Sequence, residues 1–425
     1  MQTGPFGSQL HTSDYKETGI PVVMPTNIGD GGISENGIAR ISEADVERLS
    51  QHKLRLNDIV FSRRGDVTKN ALIRPHEVGW FCGTGCLKVR LGEETIAHAK
   101  FVSYCLRLPE IKDWLIRHAV GATMPNLNTG ILSAVPLVLP PLKTQIEIAA
   151  VLGAIDDRIS LLRATNSTAE AIAQSMFKSW FVDFDAVRAK QEGQIPDGMD
   201  EATAALFPDS FEASELGQVP KGWGVGSFLE IARLISGGTP KTGRKEYWDG
   251  EIAWASAKDV SQCAGTVLIA TDRTITQLGL DQSPTKIIPA MASVVVARGA
   301  TTGRMVLLGD EMAMNQTCYA LESKMNAPLM LHCQLGREIP ALVSAAHGSV
   351  FDTITTDTFA RSKIVHPPQP LVDRFENIVG PLFQRILSGT RAIQTLGEIR
   401  DTVLPRLITG ELRAGSDKCA FAKAA

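Results

Sequence analysis

The chain repeats itself, and this duplication constrains its fold more than any other feature of the sequence. When the second half is shifted back by 227 residues, Val138-Leu-Pro-Pro aligns with Val365-His-Pro-Pro, and Gly121-Ala-Thr-Met-Pro aligns with Gly348-Ser-Val-Phe-Asp. Upstream, where Cys86 aligns with Cys318, the offset is 232. Such a period is far too long for a solenoid repeat. It indicates a duplicated unit that consists of a globular domain followed by a helix.

A long helix is predicted to begin after each double proline, at 140–141 and 367–368. Along both helices the seam residues recur at alternating steps of three and four, the heptad pattern of a coiled coil. This spacing favours two helices that pair with each other as a coiled coil over two surface helices that pack on their own domains, and we predict that the pair is antiparallel. Asn166 lies on the first seam, where a polar residue fixes the register at a cost in stability. The first seam is Ile148, Leu152, Ile155, Ile159, Leu162, Asn166, Ala169, Ala173, Met176 and Trp180, and the second is Phe375, Val379, Leu382, Ile386, Gly389, Ile393, Leu396, Arg400, Val403 and Leu407.

The globular parts combine short β-rich runs, such as Ser293-Val-Val-Val-Ala, with Gly- and Asn-rich turns and with helical stretches near 98–118 and 327–345. We therefore predict an α+β fold of two pseudo-repeated mixed α/β domains, each followed by a long helix. The predicted divisions are a first domain at 1–139, a central helix at 140–187, an acidic Gly/Pro-rich connector at 188–218, a second domain at 219–366, a C-terminal helix at 367–412 and a tail at 413–425.

Composition excludes several classes of protein. A hydrophobic content of 44% rules out disorder along the whole chain, and a net charge of −3 rules out a uniformly basic nucleic-acid binder. The acidity is concentrated in residues 141–222, which carry 7 basic and 13 acidic side chains, so local basic patches are still expected elsewhere. Seven scattered cysteines and the lack of a long apolar run predict reduced thiols in the cytoplasm, with no membrane segment. Cys82 and Cys86 lack nearby partners for a zinc site, so we expect no metal.

Several motifs, in this order along nearly the whole chain, resemble those of one family. The chain resembles the DNA-specificity subunit of a type I restriction-modification system. The matching segments are Gly4-Pro-Phe-Gly-Ser-Gln-Leu, Val135-Pro-Leu-Val-Leu-Pro-Pro-Leu-Lys-Thr-Gln-Ile, Phe181-Val-Asp-Phe-Asp185, Leu206-Phe-Pro-Asp209, Ser214-Glu-Leu-Gly-Gln-Val-Pro-Lys-Gly-Trp223 and Leu404-Pro-Arg-Leu-Ile-Thr-Gly-Glu-Leu412.

This resemblance implies two target-recognition domains, each of which reads one half of a split, asymmetric site on double-stranded DNA. The two helices would act as a spacer, clasped by two modification subunits that methylate adenine N6 with S-adenosylmethionine. Restriction subunits would add translocation and cleavage that depend on ATP and Mg²⁺. The chain itself would bind none of these cofactors and would catalyse nothing. The alternatives are a duplicated coiled-coil scaffold that does not read DNA and a methyltransferase that acts alone.

The repeat also predicts a difference between the two domains. The second domain begins near Val219, and the upstream offset of 234 places the matching start about fifteen residues before Met1. We therefore expect the first domain to lack its opening strand.

Two glycine-rich motifs lack the residues that an enzyme would need. Phe81-Cys-Gly-Thr-Gly85 resembles a turn that holds S-adenosylmethionine, but the chain has no Asn/Asp-Pro-Pro-aromatic tetrapeptide, so a glycine turn between strands is the better interpretation. Gly237-Gly-Thr-Pro-Lys-Thr-Gly243 lacks the spacing of a phosphate-binding loop.

Candidate DNA contacts are basic and hydroxyl side chains in glycine-rich loops, where an arginine can form two hydrogen bonds to guanine. Ordinary exposed arginines at a hairpin tip are the alternative. The candidates are Arg63, Arg64, Lys69, Lys241, Arg244, Lys245, Arg298, Thr301, Thr302 and Arg304, and Lys69 and the additional Lys16 are the weaker ones. Trp180, Phe181 and Phe184 are predicted to bind a partner subunit, with a cap at the end of the helix pair as the alternative.

Overall fold

The computed structural model describes residues 1–7, 9–29, 32–92, 96–121, 124–346 and 353–413, so most of the predicted tail lies outside the described residues. The chain divides into two compact units. The first comprises Met1–Arg158 and Leu396–Ala425, and the second comprises Ile159–Thr395. Within the described ranges, no helix is both long and apolar enough to cross a membrane.

The first unit contains two four-stranded sheets, in the orders β1-β8-β5-β6 and β2-β4-β3-β7. Its core lies between the first sheet and the helices, where Phe61 and Leu87 join Phe101 and Leu152. The strands are β1 (Gln2–Thr3), β2 (Tyr15–Lys16), β3 (Ile20–Val23), β4 (Ala39–Ile41), β5 (Ile59–Ser62), β6 (Asn70–Leu72), β7 (Phe81–Cys82) and β8 (Cys86–Val89). The helices are α1 (Glu43–Arg48), α2 (Ala99–Cys105), α3 (Pro109–His118), α4 (Thr129–Ser133) and α5 (Leu142–Phe181), which continues into the second unit.

The second unit contains a five-stranded sheet, β12-β20-β17-β18-β14, a four-stranded sheet, β15-β13-β19-β16, and the pairs β10-β9 and β11-β21. Its strands are β9 (Phe211–Ser214), β10 (Gly217–Pro220), β11 (Gly224–Ser227), β12 (Ala232–Ser236), β13 (Trp248–Ala255), β14 (Val267–Leu268), β15 (Thr274–Ile275), β16 (Ile287–Ile288), β17 (Ser293–Val296), β18 (Met305–Leu308), β19 (Met312–Met314), β20 (Cys318–Ser323) and β21 (Lys363–His366). Its helices are α6 (Asp185–Gln191), α7 (Glu201–Ala204), α8 (Phe228–Ile231), α9 (Ala257–Gln262), α10 (Gln277–Asp281), α11 (Pro328–Ala346), α12 (Thr356–Arg361) and α13 (Gln369–Ile408), which returns to the first unit.

The duplication is visible in the strand pairing. β5 pairs with β6 and β8, just as β17 pairs with β18 and β20. The parallel pair β3–β7 likewise matches the parallel pair β13–β19. Both central strands, β5 and β17, are buried along their whole length, which explains why they are continuous apolar runs without alternation. The predicted α+β fold of two repeated domains is confirmed.

The two domains differ at one edge. In the second domain β11 pairs with β21, and the five-residue strand β12 pairs with β20. In the first domain the counterpart of β12 is the two-residue strand β1. The structure assigns no strand to residues 136–139, the counterpart of β21, and the Val138 side chain there is 75% exposed. Residues 136–139 therefore do not form the strand that β21 forms in the second domain.

The two long helices, α5 and α13, are each 40 residues long and pair antiparallel within each unit. In the first unit Arg400 Nη1 lies 2.9 Å from Asp156 Oδ1, and Leu152 packs in the same core as Leu404. In the second unit the rings of Phe177 and Phe375 lie 6.1 Å apart. Residues nearer the C-terminus of α5 thus contact residues nearer the N-terminus of α13. The predicted antiparallel coiled coil is confirmed.

Asn166 is the polar residue of the helix pair in the second unit. Its Nδ2 lies 3.3 Å from both the Ile386 carbonyl oxygen and the Thr390 hydroxyl. Opposite it, Gly389 has no side chain, and a Cβ at that position would clash with Asn166 Oδ1. Asn166 and Gly389 are therefore matched in size, and the register of the pair depends on both residues.

We predict that Gly389→Ala destabilises the second unit relative to Gly380→Ala. In an exposed helix position, Gly→Ala raises the free energy of unfolding by about 1 kcal/mol, and Gly380 has open space around its Cα. At Gly389 the same change displaces Asn166, so this gain is lost. Urea unfolding followed by circular dichroism compares the two variants, and Asn166→Ala should restore the gain. Equal stabilisation by both glycine substitutions would contradict the predicted coupling.

A side chain of each long helix accepts a hydrogen bond from the start of a domain helix. Gln145 Oε1 accepts from the His98 N–H (2.9 Å) at the beginning of α2. Glu376 Oε1 accepts from the Met330 N–H (2.7 Å) in the first turn of α11. The first N–H groups of a helix have no partner within the helix, so these side chains satisfy donors that would otherwise be unpaired. Each domain is thereby fixed to the long helix that follows it.

The first unit adds a half-buried ionic cluster, which consists of Tyr104, Arg107, Asp156 and Arg400. Asp156 Oδ2 accepts from the Tyr104 hydroxyl (2.8 Å) and from Arg107 (3.2 Å), and its Oδ1 accepts from Arg400. Burial alone would raise the pKa of Asp156, but the two guanidinium groups and the hydroxyl lower it below its usual range. This cluster connects α5 and α13 to the segment that follows α2.

The stability of the second unit should decrease as the pH rises from about 4.5 to about 7. Burial raises the pKa of Glu376 from 4.5 to about 7, against the hydrogen bonds from the Met330 and Leu329 N–H groups. A raised carboxyl pKa means that the fold favours the protonated form, so its contribution is complete below pH 4.5 and is lost through pH 7. Glu376→Gln keeps the acceptor and removes the charge. The difference in unfolding free energy between wild type and variant should therefore change across this window, and a difference independent of pH would contradict the assignment.

Candidate nucleic-acid interface

The predicted arginines lie at the tips of two equivalent hairpins. Residues 63–69 connect β5 to β6, and residues 297–304 connect β17 to β18. Gly65 and Gly299 adopt positive φ values of 77° and 100°, which a side chain would disfavour. Each tip is held by a β-bridge to a later loop, Arg64 to Asn126 and Arg298 to Thr353.

Four loops converge at the first hairpin tip: residues 4–7, 63–69, 83–85 and 124–128. The Gly4 N–H donates to the Cys86 carbonyl (2.9 Å), and a Cβ on Gly4 would clash with the Gly83 carbonyl. The Arg63 N–H donates to the Gly85 carbonyl (2.8 Å), and the Arg63 carbonyl accepts from the Leu127 N–H (2.9 Å). We call this convergence the first four-loop site.

The second four-loop site is built in the same way from residues 237–246, 297–304, 315–317 and 353–355. The Gly238 N–H donates to the Met314 carbonyl (2.9 Å), and a Cβ on Gly237 would clash with the Asn315 carbonyl. The Ala297 N–H donates to the Thr317 carbonyl (2.8 Å), and its own carbonyl accepts from the Ile354 N–H (2.9 Å). The backbone framework of the two sites is thus conserved by the duplication.

The side chains on this framework differ between the two sites. In the first site, Arg63 Nε donates to Asn126 Oδ1 (3.2 Å), and the guanidinium lies 5.7 Å from the centroid of the Phe6 ring. In the second site, the Thr239 hydroxyl donates to Gln316 Oε1. Both sites therefore expose polar groups on the same backbone, but the groups are of different kinds.

The structure assigns the other predicted residues a range of positions around the hairpin tips. The Thr302 hydroxyl donates to the Gly299 carbonyl (2.7 Å) and so shapes the turn, whereas Thr301 accepts from Ser261 (3.3 Å). Arg304 is exposed at the end of its hairpin, and Lys69 is half-buried at the end of the other.

Lys241, Arg244 and Lys245 are exposed on the loop that leaves the second four-loop site. Arg244 pairs with Glu246 (3.0 Å), which neutralises part of its charge. Basic side chains next to a set of convergent polar loops suit a polyanion, because phosphate contacts come largely from Arg and Lys.

Sequence reasoning missed Phe6, Asn126, Thr239 and Gln316. The search favoured arginines next to glycines within one hairpin, and these four residues come from distant segments. The sequence repeat could have located these loops, because Gly4 is equivalent to Gly237 and Asn126 is equivalent to Thr353.

The prediction that Trp180, Phe181 and Phe184 form an exposed docking patch is wrong. Their side chains are 6%, 3% and 8% exposed. Trp180 packs edge-on against Phe207 (5.3 Å between centroids) and Phe184 packs against Trp223 (5.6 Å). Aromatic rings have the largest apolar surface to bury, so they fill the core where α5 and α13 meet the connector. They form the cap that the sequence left as the alternative.

Five of the described cysteines are buried, namely Cys82, Cys86, Cys105, Cys318 and Cys333, and Cys263 is partly buried. Burial raises the pKa of the Cys82 thiol to about 12, so it is protonated at neutral pH. Phe81–Gly85 forms the turn between β7 and β8, and Gly85 has a φ of 85°. Among the described residues, no group of three or more His, Cys, Asp and Glu side chains is placed to hold a metal ion.

Two kinds of comparison connect this arrangement to known proteins. A family model described as the type I restriction modification DNA specificity domain matches residues 8–171 and again residues 220–371. The specificity subunit of the type I restriction enzyme HindI of Haemophilus influenzae is 26% identical over 344 residues, which cover 70% of this chain and 73% of the relative. The MjaIX specificity subunit of Methanocaldococcus jannaschii is 25% identical over 319 residues, which cover 74% and 69%.

Among solved structures, the type I restriction-modification S subunit from M. genitalium has a similar fold. Its TM-score is 0.55 at 15% identity, over 96% of this chain and 92% of that one. At this identity the similarity concerns the fold alone.

The chain belongs to the type I restriction-modification DNA-specificity family, because the family model matches most of its length in two copies. It is a specificity subunit, and its function is the recognition of DNA sequence in a type I restriction-modification system.

Arg298→Ala should weaken binding to the target DNA. An arginine that forms two hydrogen bonds to a base contributes about 1–3 kcal/mol, whereas a phosphate contact lowers the affinity for all sequences and reduces the salt dependence. Fluorescence anisotropy at several salt concentrations measures both effects, with Arg385→Ala on the exposed face of α13 as the control. Unchanged affinity and an unchanged methylation motif would exclude Arg298 from the interface.

Proposed function

We propose that this chain reads a split DNA site whose two halves differ in sequence. One four-loop site would read each half. The observation that supports this is the repeated backbone framework with different side chains, Arg63 and Asn126 in one site and Thr239 and Gln316 in the other. Equivalent backbones present their side chains in the same way, while different side chains select different bases.

The long helices would set the separation of the two half-sites. Gln145 and Glu376 fix each domain to the long helix that follows it, so each set of reading loops would have a defined position along its helix. A helix rises 1.5 Å per residue, so the number of residues between the fixed points would determine the spacing.

Two modification subunits would bind this chain and methylate adenine N6 in both halves, using S-adenosylmethionine. Restriction subunits would add translocation and cleavage that depend on ATP and Mg²⁺. These cofactors belong to the partner subunits, and the complex would act in the cytoplasm. In this complex the chain contributes positioning, because it holds the catalytic partners at one DNA sequence.

Methylome sequencing tests the proposal. The chain is co-expressed with its modification subunit in a host that lacks adenine methylation, and the modification subunit alone serves as the control. We expect N6-methyladenine in both halves of one split motif, with two different half-sequences. A soluble complex that methylates no motif would contradict DNA recognition, and identical halves would contradict the division of reading between unlike sites.

A further inference from the structure

We propose that Arg63 reads a guanine in the half-site bound by the first domain, and that the second domain lacks an equivalent reader. This inference rests on the proposed function and assigns one base contact within it.

The backbone of Arg63 is fixed on both sides. Its N–H donates to Gly85 (2.8 Å), and its carbonyl accepts from Leu127 (2.9 Å). The side chain therefore leaves the hairpin from a fixed point, although residues 64–66 next to it are exposed.

The side chain of Arg63 is also held. Its Nε donates to Asn126 Oδ1 (3.2 Å), and its guanidinium lies 5.7 Å from the centroid of the Phe6 ring, which is itself 55% exposed. Among the residues with described positions, neither Nη1 nor Nη2 has a hydrogen-bond partner. An arginine held in this way loses little further freedom on binding, and its pair of Nη groups remains available.

Guanine matches this pair of donors. In the major groove it presents two adjacent acceptors, O6 and N7, whereas adenine presents an N6 amino donor beside N7. Phosphate also accepts hydrogen bonds from arginine, but it does not require a preset orientation of the guanidinium. The restraint by Asn126 and Phe6 therefore favours a base over the DNA backbone.

The second domain has alanine at this place. Phe61 pairs with Leu87, and its counterpart Val295 pairs with Tyr319. Two residues further along each strand, Arg63 corresponds to Ala297, and Ala297 makes the same two backbone hydrogen bonds. The second domain thus keeps the backbone hydrogen bonds but lacks the guanidinium. A guanine contact of this kind is therefore expected only in the half-site that the first domain binds.

The test replaces each guanine of the methylated motif in turn by 7-deazaguanine, which lacks the N7 acceptor. Binding of the duplexes to the complex with its modification subunit is measured by fluorescence anisotropy. At one guanine, the loss of N7 should lower the affinity of wild type about tenfold. The affinity of Arg63→Ala, which is already lower on the unmodified duplex, should not change at that guanine. Arg63→Lys keeps the charge but not the planar guanidinium that Asn126 and Phe6 restrain, so it should lose the sensitivity to 7-deazaguanine as Arg63→Ala does. Arg385→Ala, on the exposed face of α13, should retain the wild-type sensitivity to 7-deazaguanine.

Asn126→Ala should reduce the sensitivity at the same guanine without abolishing binding, which marks Asn126 as a positioning residue. Binding that still depends on the other half-site shows that each variant is folded. Two results overturn this inference and leave the proposed function intact. In the first, wild type and Arg63→Ala respond alike to 7-deazaguanine at every guanine of the split motif. In the second, the split motif contains no guanine. The absence of any split motif overturns both the inference and the proposed function.

Discussion

The hydrogen bond between each long helix and the start of a domain helix is the contact on which the rest of the arrangement depends. Gln145 and Glu376 accept from backbone N–H groups that have no partner within their own helices. Losing such an acceptor leaves a buried donor unpaired, which costs about 1–3 kcal/mol. The hairpin tips belong to the same domains, so these two contacts help to place each set of reading loops on its long helix.

The two copies of the repeated unit share their backbone geometry but differ in the side chains at equivalent positions. Asp156 and Arg400 form the ionic cluster of the first unit, and the offset of 227 places Phe383 and Ala173 at the equivalent positions. Both of these residues are buried in the apolar core of the second unit. The same interface is thus held by charges in one copy and by apolar contact in the other. The four-loop sites have diverged in the same manner, with a fixed backbone and exchanged side chains.

Local periodicity allowed much of the fold to be predicted from sequence. The heptad seams identify both long helices and their pairing, because a buried seam must repeat every 3.5 residues. The continuous apolar runs identify β5 and β17. The prediction that Trp180, Phe181 and Phe184 bind a partner failed because apolar residues at the end of a helix look the same in sequence whether a connector or another protein covers them.

The candidate site was only partly predictable. Arginines next to glycines indicate the hairpin tips, since both residue types lie within a few positions of each other. The contact between Arg63 and Asn126 joins segments 63 residues apart and depends on the sheet order and on the loop that returns after α3. No local pattern carries that information, although the alignment of the two halves contains part of it.

The prolines around residues 136–139 have a consequence for how this segment avoids pairing with other chains. Its Val138 side chain is 75% exposed, and an exposed apolar segment can become a template on which a strand of another chain adds. Here Pro136 occupies the position held by Lys363 in the second copy, and Pro140 and Pro141 follow immediately. Proline has no N–H to donate, so three of the six residues from Pro136 to Pro141 cannot donate to an incoming strand. The segment is open to solvent yet poorly suited to strand addition.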